Sequence, residues 1–343
     1  MAITAYISKK LSVLSFVAIY LVLIIHTAMP QAKEFVYFDF FQRFCGDYIC
    51  RLYLPLFMMI SGYLFYQNII TPNKRTWLDK YKSRFNSLFI PYIIWNVLFI
   101  VQMAILQYNP ITSGWITTGI SPFISSDSII HSLWIIFTNP ANSPLWFIRN
   151  LMIIVVFTPV LYFIIKQNKF IILLYIVILM LINTQLTFCL LFFSLGGILS
   201  VKNINIDFRI KNIWVWLLIV ISILIGILLT IKGEITHLNF YLSIIPLLAL
   251  WFGYDVLYLN RGKFEFIKRY LPYTFFIYVF HEPSLNIFKK IILKITENSE
   301  ISFWIAYFLS PILMVLLSYV IGSFIEKATP KMYSIVIGNR KKY

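Results

Sequence analysis

Ten runs of apolar residues organise this chain, and they restrict it to one kind of solvent. They cover residues 11–29, 48–67, 86–107, 145–165, 169–184, 186–201, 213–231, 238–259, 272–290 and 302–325. Most reach or approach the roughly 20 residues that a helix needs to cross the hydrocarbon core of a bilayer. Lipid offers no partner to a backbone amide, so segments this apolar are read as helices. Only 12% of the 343 residues are charged and 60% are hydrophobic, whereas a soluble domain carries about 25% charged residues. The expected fold is an all-α membrane protein: one transmembrane domain over residues 1–343, built as a bundle of about ten helices. The runs 169–184 and 186–201 are short; they read as a tight helical hairpin turning between Asn183 and Leu186, or as a re-entrant pair. Ser128 to Thr138 is apolar but too short to span, and reads as interfacial or re-entrant. No small-residue cleavage site follows the first run, which is therefore expected to remain as a helix.

Lys and Arg set the orientation. With the N-terminus in the cytoplasm, 21 of the 29 basic residues fall on inside connections and six on outside ones, while Arg51 and Arg149 lie within runs. This bias places both termini in the cytoplasm and requires an even number of crossings. It also accounts for the net charge of +16 without a nucleic-acid partner. Basic inside loops can attract anionic headgroups or a phosphorylated ligand as well. No internal repeat is evident, which weighs against transporters built from inverted repeats. The phosphate-loop pattern GxxxxGK[ST] is absent, and no spacing of His, Cys and carboxylates suggests a metal site. Cys45 and Cys50 share the first outside connection, where a disulfide is conceivable; Cys189 lies in an apolar run and reads as packing.

Ionisable groups inside spans are expensive and are functional candidates by default. The chain has four histidines. His26 stands near the outer end of the first run, and a neutral imidazole there can take a proton from a hydroxyl. The alternative is a histidine bonded to a neighbouring helix. His281 lies in YTFFIYVFHEP, followed by Glu282 and Pro283; the proline disfavours helix at Glu282 and suggests a polar cavity or opened backbone. Adjacent helical residues point about 100° apart, so Glu282 need not orient His281. Arg149, in PLWFIRNLMII, either snorkels or holds a phosphate, carboxylate or developing oxyanion; Arg51 is read as snorkelling. The cluster KRTWLDKYKSRFNSLFIPYIIW anchors the third run, with Lys82 and Arg84 placed to grip phosphates at its mouth. Ser61 and Gly62 read as close helix packing.

Four phrases carry a family resemblance. They are LSVLSFVAIYLVLIIH ending at His26, PLFMMISGYLF around Ser61 and Gly62, PLWFIRNLMII with its Leu145-Trp146-Phe147, and FFIYVFHEP with Tyr278 and His281. In order and spacing the chain resembles the bacterial acyltransferase-three family, integral membrane enzymes that O-acylate surface sugars and some secondary metabolites. The resemblance implies an acyl-CoA donor, usually acetyl-CoA, entering from the cytoplasm as a substrate rather than a resident cofactor. It also implies a polysaccharide or lipid-linked glycan as acceptor and the inner membrane as the location. His26 would be the general base, with His281 and Glu282 assisting. Ser15 stands where the family's first helix carries a basic residue, and Ser87 where a second arginine follows the position of Arg84. Lys10, Lys82 and Arg149 are therefore the candidates to complete donor binding beside Arg84. Larger relatives carry an additional extracytoplasmic domain for which this chain has no room. Two other readings stay open: an exporter or flippase of a glycan or small acid, and a scaffold of a polysaccharide-synthesis complex that has lost catalysis. Consumption of acetyl-CoA separates an enzyme from both.

Overall fold

In this computed structural model the described residues are 3–69, 72–110, 112–113, 129–182, 184–233, 243–261, 266–297 and 299–340. The turn expected at Asn183, part of the connection after residue 108, and the start of the run at 238 lie outside them. The architecture is helical, with no strand among the described residues. In chain order the helices are α1 (Ala5–His26), α2 (Val36–Arg43), α3 (Tyr53–Tyr66), α4 (Lys74–Arg84), α5 (Ile90–Tyr108), α6 (Ile129–Thr138), α7 (Trp146–Val156), α8 (Thr158–Lys166), α9 (Lys169–Ile182), α10 (Gln185–Val201), α11 (Asn212–Lys232), α12 (Ile244–Arg261), α13 (Thr274–Ile295), α14 (Glu300–Ala328) and α15 (Pro330–Val336).

Among the described residues, most of each apolar run falls on one of these helices or, for 145–165, on the pair α7 and α8. Among the described residues five helical stretches are long and apolar enough to cross a membrane: α1, Val36–Tyr66, Lys74–Tyr108, α11 and α14. A sixth counts if α7 and α8, bent by 65° at their junction, form one broken span. The bend falls at Phe157, where Pro159 follows and cannot donate to the preceding turn. α9 and α10 have 14 and 17 residues, rising roughly 21 and 26 Å, and the apolar part of α12 is also short. The piece expected to be interfacial or re-entrant forms α6.

Local chemistry sets the helix starts. Thr4 caps α1 by accepting from the Ile7 amide, and Asn73 with Thr76, Thr184 with Thr187 and Ser299 with Ser302 form reciprocal caps on α4, α10 and α14. α1 runs through the middle of the bundle, against α3, α12, α13 and α14, and buries Val13, Leu14, Ala18, Ile19, Val22 and Leu23. α3 and α10 approach until backbone meets backbone. A Cβ on Gly62 would stand 1.9 Å from the Phe193 carbonyl oxygen, and one on Gly196 would stand 2.0 Å from that of Met59. The packing role expected of Gly62 is thus a direct helix contact, while Ser61 beside it turns toward an internal cavity. All three cysteines are free.

Candidate active site

The site is built around the break in α13. Pro283 has no amide hydrogen, so the Val279 carbonyl one turn earlier has no helical donor. Asn142 supplies one, its Nδ2 lying 3.0 Å from that oxygen. The Asn142 amide in turn donates to Asn96 Oδ1 at 3.1 Å, and Tyr278 donates its hydroxyl to the Pro144 carbonyl at 2.5 Å. The segment 142–145 therefore clamps the last turn before the break. Glu282 itself takes an extended backbone, φ −97° and ψ 137°.

His281 is fully buried. Its Nδ1 lies 2.6 Å from the Tyr278 carbonyl oxygen. A carbonyl can only accept, so Nδ1 carries the hydrogen and Nε2 is left as an acceptor; that Nε2 is buried with no partner among the described residues. His26 ends α1, and its side chain is 30% exposed. The two imidazoles face each other with ring centroids 5.0 Å apart. Glu282 reaches His26 rather than its neighbour His281: Oε1 is 3.5 Å from His26 Nδ1, and Asn286 steadies Oε2 at 2.6 Å. Lys289 donates to the His26 backbone carbonyl at 2.7 Å, pinning the end of α1 to α13 as a cation at a helix C-terminus.

The sequence offered no metal-ligand spacing. The fold nevertheless gathers His26, His281 and Glu282 so that their ligand atoms all lie within 4.8 Å of one another. Two imidazoles and a carboxylate at this separation can serve proton transfer or hold a divalent ion.

Two cavities lie toward the two ends of α1; neither is lined by His26, His281 or Glu282 themselves, but residues near them in sequence, Ile25 and Ala28 on one side and Tyr278 on the other, line the walls. The larger, of about 700 Å³, opens at the end where α1 begins and is lined by Lys9, Arg84, Lys268 and Arg340 and by apolar walls that include Ile60, Leu151 and Phe275. Ser8, Ser12, Ser15 and Ile19 of α1 line it, as does Tyr278 of α13. His26 continues the same face of α1, seven residues or two turns past Ile19, and His281 lies one turn past Tyr278. The smaller cavity, of about 430 Å³, lies at the far end and is lined by polar groups that include Gln42, Asp47, Arg51, Thr184 and Gln185, and by Trp146. Tyr53 lines both.

The structure redistributes the basic residues expected at the donor. Arg84 lines the larger cavity, with its guanidinium 5.5 Å from the Phe65 ring centre. Lys10 does not. It is 1% exposed and paired to Asp255, with Nζ at 2.9 and 2.8 Å from the two carboxylate oxygens, and its ammonium sits 4.1 Å from the Trp251 ring centre. Adjacent residues on a helix diverge by 100°, so it is Lys9 that faces the cavity. Lys82 is exposed and is not in the cavity wall. Arg149 bonds Asn150 Oδ1 at 3.2 Å and the Thr138 carbonyl, which ties the last turn of α6 to α7 away from both cavities. Sequence reasoning missed Lys268, Arg340, Tyr53 and Asn142. For Asn142 a signal existed: a polar residue directly ahead of the Ser-Pro-Leu-Trp-Phe phrase in a connection without cations.

No solved structure matches the chain. A succinoglycan biosynthesis protein, ExoH of Rhizobium meliloti (strain 1021), is 22% identical over 354 aligned residues that take in 98% of this chain and 93% of the relative. The family model described as an acyltransferase domain matches residues 9–323, from the mouth of the larger cavity through both histidines and nearly to the end of α14. With a match over nearly its whole length, this chain belongs to the acyltransferase-three family of membrane proteins and is an O-acyltransferase.

Proposed function

We propose that the protein moves an acyl group, acetyl in the simplest case, from acyl-CoA to a hydroxyl of a surface polysaccharide or its lipid-linked precursor. The domain spans the inner membrane ten times with both termini in the cytoplasm. The observation that carries this reading is the meeting of His26, His281 and Glu282 beyond a cavity whose mouth is ringed by four cations. On the orientation favoured by the basic residues, that mouth faces the cytoplasm, where a phosphate-bearing thioester is supplied. The apolar walls suit a pantetheine arm, and the far cavity, with Trp146 and several amide and hydroxyl groups, suits a sugar. The name of the relative, a succinoglycan biosynthesis protein, supports a polysaccharide acceptor.

The chemistry follows from the placement of these groups. The Glu282 carboxylate, 3.5 Å from His26 Nδ1, favours the tautomer with its hydrogen on Nδ1 and leaves the Nε2 lone pair for the incoming alcohol. As the alcohol oxygen attacks the thioester carbonyl carbon, its proton passes to Nε2. The C–S bond then breaks, and the leaving thiolate recovers the proton from the imidazolium. His281, neutral and with its own Nε2 an acceptor, positions the hydroxyl. Purified protein in bilayer nanodiscs with radiolabelled acetyl-CoA and the host's glycan should give labelled glycan and free coenzyme A, and His26→Ala should abolish both. An exporter or flippase would leave the thioester intact.

A further inference from the structure

The cations at the mouth of the larger cavity come from four separate places. Lys9 belongs to the first turns of α1, Arg84 ends α4, Lys268 precedes α13, and Arg340 stands beyond the last helix, on a segment that folds back across the bundle. Three observations fix that segment. Trp95 of α5 donates its indole hydrogen to the Val336 carbonyl at 2.9 Å. Gly338 takes a left-handed φ of +74° and lies so close to Ser87 that an added Cβ would be 2.7 Å from the serine Cα and carbonyl oxygen. The Arg340 guanidinium then lies 3.4 Å from the Phe275 ring centre while its Nη1 donates to the Ile337 carbonyl at 3.4 Å. Ile337 and Arg340 both line the cavity. The missing side chain of Gly338 is what allows this approach to the Ser87 backbone. The Phe275 ring covers one face of the guanidinium, and a planar fork of donors of this kind suits a phosphate.

We propose that the segment after α15 is a donor-binding element and that Arg340 contacts the phosphates of the acyl-CoA. The proposal rests on the acyl-CoA reading above. It assigns to the end of the chain a role in substrate affinity, and it makes the Ser87–Gly338 contact the hinge point that sets the position of Arg340. A charge-assisted bond to phosphate acts on binding and not on the reacting carbonyl, so its loss should appear in the affinity for the donor.

The test measures binding of radiolabelled acetyl-CoA to the full-length protein in nanodiscs, with displacement by unlabelled acetyl-CoA and by acetylpantetheine, which carries no phosphate. For Arg340→Ala we expect acetyl-CoA to bind about ten-fold more weakly, with the affinity for acetylpantetheine unchanged and most of the loss restored in Arg340→Lys. Gly338→Val, which displaces the segment but keeps the arginine, should reproduce the loss, and the double variant should be no weaker than either single one. The proposal is overturned if Arg340→Ala binds acetyl-CoA like the parent protein, or if both ligands weaken equally. If the parent protein itself fails to bind acetyl-CoA, the donor assignment above falls, and this role of Arg340 falls with it.

Discussion

Glu282 directs its carboxylate to His26 and not to its chain neighbour His281, with Oε1 3.5 Å from Nδ1. The extended backbone at Glu282 turns the side chain across to α1, and the arrangement pairs the proposed base on one helix with a carboxylate on another. Replacing Glu282 by Gln keeps the shape and removes the charge. We expect kcat for acyl transfer to fall by about 10²-fold while KM for acyl-CoA stays within about two-fold, because Glu282 is not in the wall of the proposed donor cavity. Steady-state kinetics on the two proteins check this, and an unchanged kcat would remove Glu282 from the mechanism.

Lys10 and Asp255 make a prediction of the opposite kind. Both are almost wholly buried, each compensates the other, and the Tyr6 hydroxyl also donates to Asp255. Removing one partner leaves an uncompensated buried charge, at a cost of about 3–5 kcal/mol. Asp255→Ala and Lys10→Met should each lower the thermal midpoint sharply and reduce the amount of protein in the membrane, whereas Lys10→Met with Asp255→Leu should recover most of the loss. Molecules of the single variants that do fold should keep the parent KM for acyl-CoA. A selective rise in KM would return Lys10 to the donor site.

The contrast between Lys9 and Lys10 shows where the sequence stops being legible. Apolar run length located the apolar helices, because lipid leaves the backbone one solution, but not the more polar α2, α4 and α15; His26 and the His281-Glu282-Pro283 break were visible as polar groups in apolar surroundings. Which cation meets the cavity was not visible. That depends on the rotation of α1 about its own axis, on the roughly 200° that separate Lys82 from Arg84 around α4, and on the return of the chain that brings Arg340 to the cavity. Arg149 lay just inside an apolar run, yet its guanidinium serves the last carbonyl of α6. Whether α9 and α10 both cross the bilayer depends on tilt and on how the membrane adapts to short helices, neither of which is written in hydrophobicity.

Tyr53 stands in the wall of both cavities, so it separates the proposed donor and acceptor sides. On the proposed reading, a large side chain there would keep water from the thioester until an alcohol is in place. Tyr53→Ala should join the cavities and shift the outcome from transfer to hydrolysis: acetyl-CoA would be consumed in the absence of glycan at a rate well above that of the parent, with less label reaching the acceptor. Tyr53→Phe, which keeps the bulk, should stay close to the parent in this partition. Equal hydrolysis by Tyr53→Ala and the parent would show that the barrier lies elsewhere.

The cluster of His26, His281 and Glu282 also tests proton transfer against metal chemistry. Their ligand atoms lie within 4.8 Å of one another, and a divalent zinc ion binds such N and O donors readily. The proposed step needs the lone pair of His26 Nε2 free, so an ion there would compete with the alcohol. We expect dialysis against EDTA to leave transfer unchanged and micromolar zinc to inhibit it reversibly, with inhibition weakened in Glu282→Gln when expressed relative to that variant's own rate. The metal titration is read by transfer rate and, independently, by zinc retained on the protein after desalting, which should fall in His281→Ala. Loss of activity on chelation, with recovery on adding zinc back, would instead make the ion part of the machinery and replace the general-base role of His26 with that of a ligand.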